Sequence, residues 1–238
     1  MWNITWKMIS KIYLSHRGSW RNKFVENTLN AFKETERTLS KKLHGFECDF
    51  RQLDLTNETS WVIFHDNTMS RFNNKAQTID PSKEITQYNR VDYIPSLEDF
   101  RSWLSTIETT IIINIEIKHG SALGVKYLID NLTSLKKDNI EFIFSSFDSN
   151  VMDLLQSSNV NLGYLIDNDQ DVDLLLKKQT TNTKTKFIAM SYEKREFISR
   201  LVNLKQHYGV YFSSYDEYVS KLNEIEDNNL FDYIFVET

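Results

Sequence analysis

Cysteine is nearly absent from the chain: Cys48 stands alone among 238 residues. An internal disulfide is therefore excluded, as is any zinc site built on paired cysteines, and the lone thiol reads as an inert packed side chain in a reducing compartment. Proline occurs twice, as Pro81 and Pro95, and glycine six times, which excludes collagen-like, low-complexity and linker-rich organisation. No stretch approaches the ~18 apolar residues of a membrane helix. The opening Met1-Trp2-Asn3-Ile4-Thr5-Trp6-Lys7-Met8 has neither the apolar run nor the small-residue cleavage site of a secretory signal. A cytoplasmic protein with no stable membrane insertion is the expectation. The net charge of -5, with Lys and Arg scattered along the chain, supplies no basic stripe for a nucleic-acid backbone. Walker loops, Gly-rich dinucleotide turns and nucleophile elbows are missing too.

What is present is a repeating pattern, a short β-branched or aromatic run followed by a longer segment with helical spacing. Strands are expected at 11–15, 44–50, 61–65, 110–117, 140–145, 161–166, 186–190, 208–213 and 231–236, and helices at 27–41, 96–107, 121–137, 148–157, 169–179, 193–206 and 215–227. Ser96 offers an N-cap oxygen with Asp99 at the third helical position, and Ser149-Asn150 precedes the apolar-periodic Val151, Leu154 and Leu155. The run Thr110–Ile117 is almost continuously β-branched, as a parallel strand covered on both faces requires. If 44–50 and 61–65 form one hairpin-like unit, eight βα repeats remain, in about the ~250 residues of a (β/α)8 TIM barrel. The expected organisation is one barrel domain over 1–238 with a compact insertion, 66–96, after the second strand region. A doubly wound α/β sheet is the second arrangement the pattern allows.

The chemistry-bearing residues gather at the ends of these strands, where parallel α/β folds place their sites. Ile12–Ser15 runs into His16-Arg17-Gly18, and Trp61–Phe64 into His65-Asp66; either imidazole would serve as an acid or base near neutral pH. A single strand-end histidine reads first as a surface or capped residue; two in matching positions make the functional reading its equal. Strand alternation puts Glu47 and Asp49 on one face, about 7 Å apart, with Phe46, Cys48 and Phe50 on the other. Two such carboxylates call for compensation, a hard divalent cation being the usual one, although an edge strand with solvated acids has the same periodicity. Glu116 and Lys118 repeat the spacing at the end of the 110–117 strand. Two imidazoles, three carboxylates, a guanidinium and an ammonium in one barrel mouth suit a phosphate ester: the cations neutralise the anion while the histidines handle protons.

At these residues the sequence resembles the glycerophosphodiester phosphodiesterase family. His16-Arg17-Gly18 followed by Glu26-Asn27-Thr28-Leu29-Asn30-Ala31-Phe32 is similar to the family's H-R-G … E-N-T-x-x-A-F. Gly45–Asp49 resembles its G-x-E-x-D, Phe64-His65-Asp66 its F-H-D, Ile94–Glu98 its I-P-T-L-E, Ile115–Lys118 its I-E-I-K and Ser145-Ser146-Phe147 its S-S-F. The six motifs cover residues 11 to about 150. The resemblance implies a (β/α)8 barrel that hydrolyses glycerophosphodiesters to glycerol 3-phosphate and an alcohol with a divalent cation, Mg or Ca. Glu47, Asp49 and Glu116 would bind the metal, His16 and His65 would be the acid/base pair, Arg17 and Lys118 would hold the phosphate, and Glu26 would orient Arg17 or contact the metal site. Asn27 reads as a helix cap, and His44 and His207 as surface residues. The chain departs from the family at Tyr211–Tyr215, in place of an aromatic W-T-V-N segment, and at Phe235–Thr238, in place of an aspartate-proline turn. A sphingomyelinase D-like phospholipase and a barrel that binds a phosphodiester without turnover are the competing readings.

Overall fold

The computed structural model describes residues 11–19, 24–39, 43–66, 94–178, 184–212, 214–227 and 230–238. The opening octapeptide and nearly all of the expected 66–96 insertion lie outside the described residues. Among the described residues nine strands are present: β1 (Ile12–Ser15), β2 (Gly45–Gln52), β3 (Trp61–Ile63), β4 (Ile111–His119), β5 (Ile140–Ser146), β6 (Asn161–Ile166), β7 (Thr185–Ser191), β8 (Tyr208–Tyr211) and β9 (Tyr233–Val236). Between them run α1 (Leu29–Thr38), α2 (Leu97–Leu104), α3 (Ala122–Thr133), α4 (Ser149–Ser157), α5 (Asp169–Lys178), α6 (Ile198–Leu201) and α7 (Tyr215–Asp227).

Eight strands are mutually parallel in the order β1-β9-β8-β7-β6-β5-β4-β2, and the β1–β2 pairing closes the ring. This is a (β/α)8 barrel. β3 is the extra strand, antiparallel to the end of β2 with Phe50 opposite Ile63, so the hairpin-like unit reduces nine strands to eight repeats. β1 covers β2 only at Gly45 and Phe46, and β3 covers Phe50–Gln52. Trp61, buried, donates its indole N–H to the Gly124 carbonyl (3.1 Å) and ties β3 to α3.

The alternation of β2 and β4 decides what faces the barrel axis. Phe46, Cys48 and Phe50, and Ile111, Ile113, Ile115 and Ile117, join the core between barrel and helices, where Phe32 stacks on Phe46 at 4.6 Å. That leaves Glu47, Asp49, Asn114, Glu116 and Lys118 on the inner face. Near-complete burial of such aromatics contributes roughly 1.5–3 kcal/mol each, which is what allows the inner face to carry charge. Inside the barrel a smaller cluster of Leu14, Ile143, Phe187, Ala189, Tyr233 and Phe235 forms the floor. A side chain at Gly163 would collide with the Phe187 ring, 2.3 Å from the position of its Cβ; glycine there admits the ring that plugs the barrel.

Local signals are partly as expected. Ser96 and Asp99 form a reciprocal capping box on α2. The N-cap of α4 is Asp148, one residue earlier than Ser149, because the Asp148 carboxylate accepts from the Asn150 amide (2.8 Å). The 193–206 helix is not continuous: two 3₁₀ turns flank the single α-turn α6. Lys194 leaves helical geometry there, its ammonium bound to Asp167, and Lys205 ends the segment at φ 51°.

Candidate active site

β1 ends in a turn whose backbone is unusual at two successive residues, with Arg17 at φ 60° and Gly18 at φ 80°. A left-handed conformation disfavours any Cβ, and at Gly18 a Cβ would also press on Phe32 at 2.8 Å. The turn aims the Arg17 amide at Glu47 Oε2 (3.1 Å) and sends the guanidinium to Glu26 (2.9 Å) and Asp49 (3.3 Å). Of the two roles implied for Glu26, the geometry shows the bond to Arg17; Glu26 is not in the three-carboxylate group described below.

Asn27 does not cap α1. Thr28 does, accepting from the Ala31 amide. Asn27, left-handed at φ 59°, instead grips Asp49 twice: its Nδ2 donates to the carboxylate (2.7 Å) and its Oδ1 accepts from the Asp49 amide (3.1 Å). A backbone that asparagine tolerates better than most residues thus frees the side chain to reach across to β2. Asp49 also lies 3.1 Å from the Lys118 ammonium. Burial would raise its pKa, but Lys118 and Arg17 outweigh burial and hold it well below the usual carboxylate range.

The inner-face register sets Asp49 beside Glu116 and Glu47 beside Asn114. Oxygens of Glu47, Asp49 and Glu116 lie within 4.8 Å of one another, and all three side chains are buried. Burial first, then repulsion from Asp49 and Glu116, drives the Glu47 pKa well up; burial raises Glu116 despite its bond to Lys118. Glu47 Oε1 has no hydrogen-bond partner among the described residues. A buried, unpaired acceptor is costly, and a cluster of hard oxygens with one left unsatisfied fits a divalent cation of the Mg or Ca class.

Each histidine has a carboxylate behind it. His16 Nδ1 lies 2.5 Å from Glu237 Oε1, and its Nε2 is 3.8 Å from Glu47. His65 Nδ1 lies 2.7 Å from Asp66. β3 delivers His65 to the mouth through Phe64 N–H to Asp49 O (2.8 Å) and Arg51 Nη2 to His65 O (2.9 Å). The carboxylate acceptors place the proton on Nδ1 and leave each Nε2 as a lone pair. Burial lowers the His65 pKa to about 4, with Lys118 and Arg17 acting in the same direction and Asp49 and Asp66 opposing.

These groups meet in a cavity of about 290 Å³ whose walls include His16, Arg17, His65, Glu116 and Lys118. Asp49 lies behind them, fully buried. The opposite wall is apolar, formed by Phe147, Leu165, Tyr211, Phe212 and Phe235. Of the eight residues singled out from sequence, six line this mouth, and Asp49 and Glu26 stand behind it, both bonded to Arg17. Sequence reading missed Glu237, Asp66, Asn27 and Asn114. For Glu237 the signal was available, an acid just past the closing strand, in the position that marks the other site residues. Of the residues read as bland, His207 is exposed beside Asp232, whereas His44 is half-buried and accepts the Tyr13 amide (3.1 Å).

No protein-family model and no curated protein sequence matches the chain. Solved structures do resemble it. One, from Galdieria sulphuraria and described as a candidate glycerophosphodiester phosphodiesterase, superposes with a TM-score of 0.71 at 18% identity, covering 96% of this chain and 94% of its own. A glycerophosphodiester phosphodiesterase from Parabacteroides distasonis gives 0.67 at 15%, covering 96% and 93%. A calcium-dependent phosphoinositol-specific phospholipase C from a Pseudomonas species gives 0.52 at 10%, covering 95% and 88%. The fold is thus one found in phosphodiester-cleaving enzymes, in agreement with the sequence resemblance.

Proposed function

We propose that the protein hydrolyses glycerophosphodiesters to glycerol 3-phosphate and an alcohol, with Mg or Ca as cofactor. The observation that carries this reading is the convergence, in one barrel mouth, of two carboxylate-backed histidines, three clustered carboxylates and two half-buried cationic side chains. The likeness of fold to glycerophosphodiester phosphodiesterases supports it.

Glu47, Asp49 and Glu116 would hold the cation, which supplies charge neutralisation at the phosphoryl oxygens. Arg17 and Lys118 bind the remaining phosphate charge. Both ammonium and guanidinium are held charged: burial opposes their charge, but the surrounding carboxylates raise both pKa values. His16, its Nδ1 fixed by Glu237, and His65, its Nδ1 fixed by Asp66, present Nε2 atoms that take a proton from the nucleophile and return one to the leaving alkoxide. Low dielectric around these groups strengthens every one of these interactions.

The test is release of glycerol 3-phosphate from a panel of diesters with Mg, Ca or a chelator, using wild-type protein beside His16→Ala and His65→Ala. We expect metal-dependent release, lost in both histidine variants while calorimetric cation binding is retained, and loss of cation binding in Glu47→Gln. A folded wild-type protein that cleaves no diester with any cation would overturn the proposal.

A further inference from the structure

The apolar wall does not stop at the rim. Phe147 and Leu165 line both the catalytic mouth and an adjoining groove of about 40 Å³, whose other walls include Met152, Leu174 and Leu175. The groove sits between the β5–α4 and β6–α5 connections, so it opens outward from the carboxyl ends of the strands. Phe147 is 39% and Leu174 38% exposed. Large side chains left uncovered beside a site signal a ligand contact more often than scattered surface residues do. The mouth itself, at about 290 Å³, is at the lower limit of ligand cavities, so a diester with an extended alcohol must leave it along some wall. The wall that continues is this one.

The charge around Phe147 selects the alcohol's character. The Lys118 ammonium lies 5.8 Å from the Phe147 ring centroid and Tyr211 packs edge-on at 6.2 Å. The ring a quaternary ammonium would stack on already has the Lys118 ammonium beside it, itself paired with Asp49 and Glu116, so Phe147 offers the groove an apolar surface rather than a free aromatic cage for a second cation. Asp171, the acid nearest the groove, accepts from the Asp167 and Asn168 amides and serves its own loop.

We infer that the alcohol released by this site is uncharged and apolar, an alkyl or aryl group that runs over Phe147 into the groove, rather than choline or ethanolamine. This rests on the phosphodiesterase reading above and names its substrate class. The experiment compares kcat/KM for glycerophosphodiesters of ethanol, hexanol and choline, in wild type, Phe147→Ala and Phe147→Leu, alongside calorimetric binding of hexyl phosphate and phosphocholine.

Burial of a methylene is worth roughly fourfold, so partial burial of a six-carbon chain predicts hexyl over choline by about 10-fold or more. Phe147→Ala removes most of that preference, read as the hexyl-to-ethyl ratio of kcat/KM within each variant so that any general loss of rate cancels, and Phe147→Leu restores it. Hydrolysis that favours choline, or a hexyl preference untouched in Phe147→Ala, overturns the inference and leaves the phosphodiesterase reading standing. No hydrolysis, with hexyl phosphate bound about 10-fold tighter than phosphocholine through Phe147, overturns the hydrolytic reading and supports the apolar site. Neither hydrolysis nor selective binding overturns both.

Discussion

Glu237→Gln isolates the carboxylate behind His16 with almost no change of shape. The glutamate lies 2.5 Å from His16 Nδ1, and the two side chains are only 11% and 18% exposed. When His16 Nε2 takes a proton, the new imidazolium is stabilised by a charge-assisted bond in a largely dry setting. Bonds of that kind contribute about 1.5–3 kcal/mol, and at 1.36 kcal/mol per factor of ten their loss predicts a fall in kcat of about 10- to 150-fold. Glu237 is outside the three-carboxylate group, so cation affinity by calorimetry should move by less than twofold. KM should hold as well, because the neutral ground state gains little from the charge. Glu237→Asp shortens the reach and should recover part of the rate if a water bridges the gap, whereas Glu237→Ala should match the glutamine variant. Stopped-assay release of glycerol 3-phosphate at saturating cation reads all of this. A kcat within twofold of wild type in both Gln and Ala variants would show that the carboxylate merely packs.

Further expectations concern the metal, the second histidine and the β1 turn. The folded pKa values of Glu47 and Glu116 are raised, so both favour the metal-free fold below the ordinary carboxylate range and weaken it as pH rises through their folded values. Protons and cation compete for the same oxygens; added Ca or Mg should raise Tm more at pH 8 than at pH 5, and equal shifts in thermal melts would count against the site. His65, lowered to about 4, binds its proton in the unfolded chain first, so its contribution to stability falls as pH drops from 6.5 towards 4. In metal-free protein its NMR titration should centre near 4 and move lower still in Asp66→Asn, because the wild-type carboxylate's bond supports the charged imidazole; a midpoint near 6.5 would refute this. Gly18→Ala forces a Cβ into a left-handed turn and against Phe32, which should cost about 1–3 kcal/mol in urea denaturation and slow turnover through Arg17; an unchanged midpoint would show that the turn relaxes.

Much of this arrangement was legible before any coordinates. The barrel could be read because its strands are β-branched runs at regular spacing, and β2 and β4 because a two-residue alternation fixes which side chains face inward. Lateral register was not legible. That Asp49 lies beside Glu116, and Glu47 beside Asn114, depends on pairing between residues over 60 positions apart. Asn27 was misread for a related reason: an asparagine before a helix normally caps it, but here Thr28 takes the cap and a left-handed backbone turns Asn27 toward Asp49. The 193–206 segment has helical periodicity, yet a salt link from Lys194 to Asp167 and a left-handed Lys205 break it. The role of Glu237 was not legible because Phe235–Thr238 departs from the family's aspartate-proline turn, so no motif marks the acid, and its partner His16 lies 221 positions away.

The seam of the barrel gives the site an order of assembly. The three clustered carboxylates come from neighbouring strands β2 and β4, whereas His16 is positioned from β9: its amide donates to Val236 O (2.8 Å), its ring meets Glu237, and Thr238 bonds Ser15 and Ser19. The cation cluster therefore needs only the first half of the ring, and the imidazole needs the ring shut. A polypeptide emerging from the ribosome would have all three carboxylates synthesised well before Glu237 and Thr238, and on the proposed reading turnover would report the arrival of the final strand. Such late, long-range closure is the slow kind of contact to form, which would make the proposed hydrolysis a sensitive gauge of complete folding.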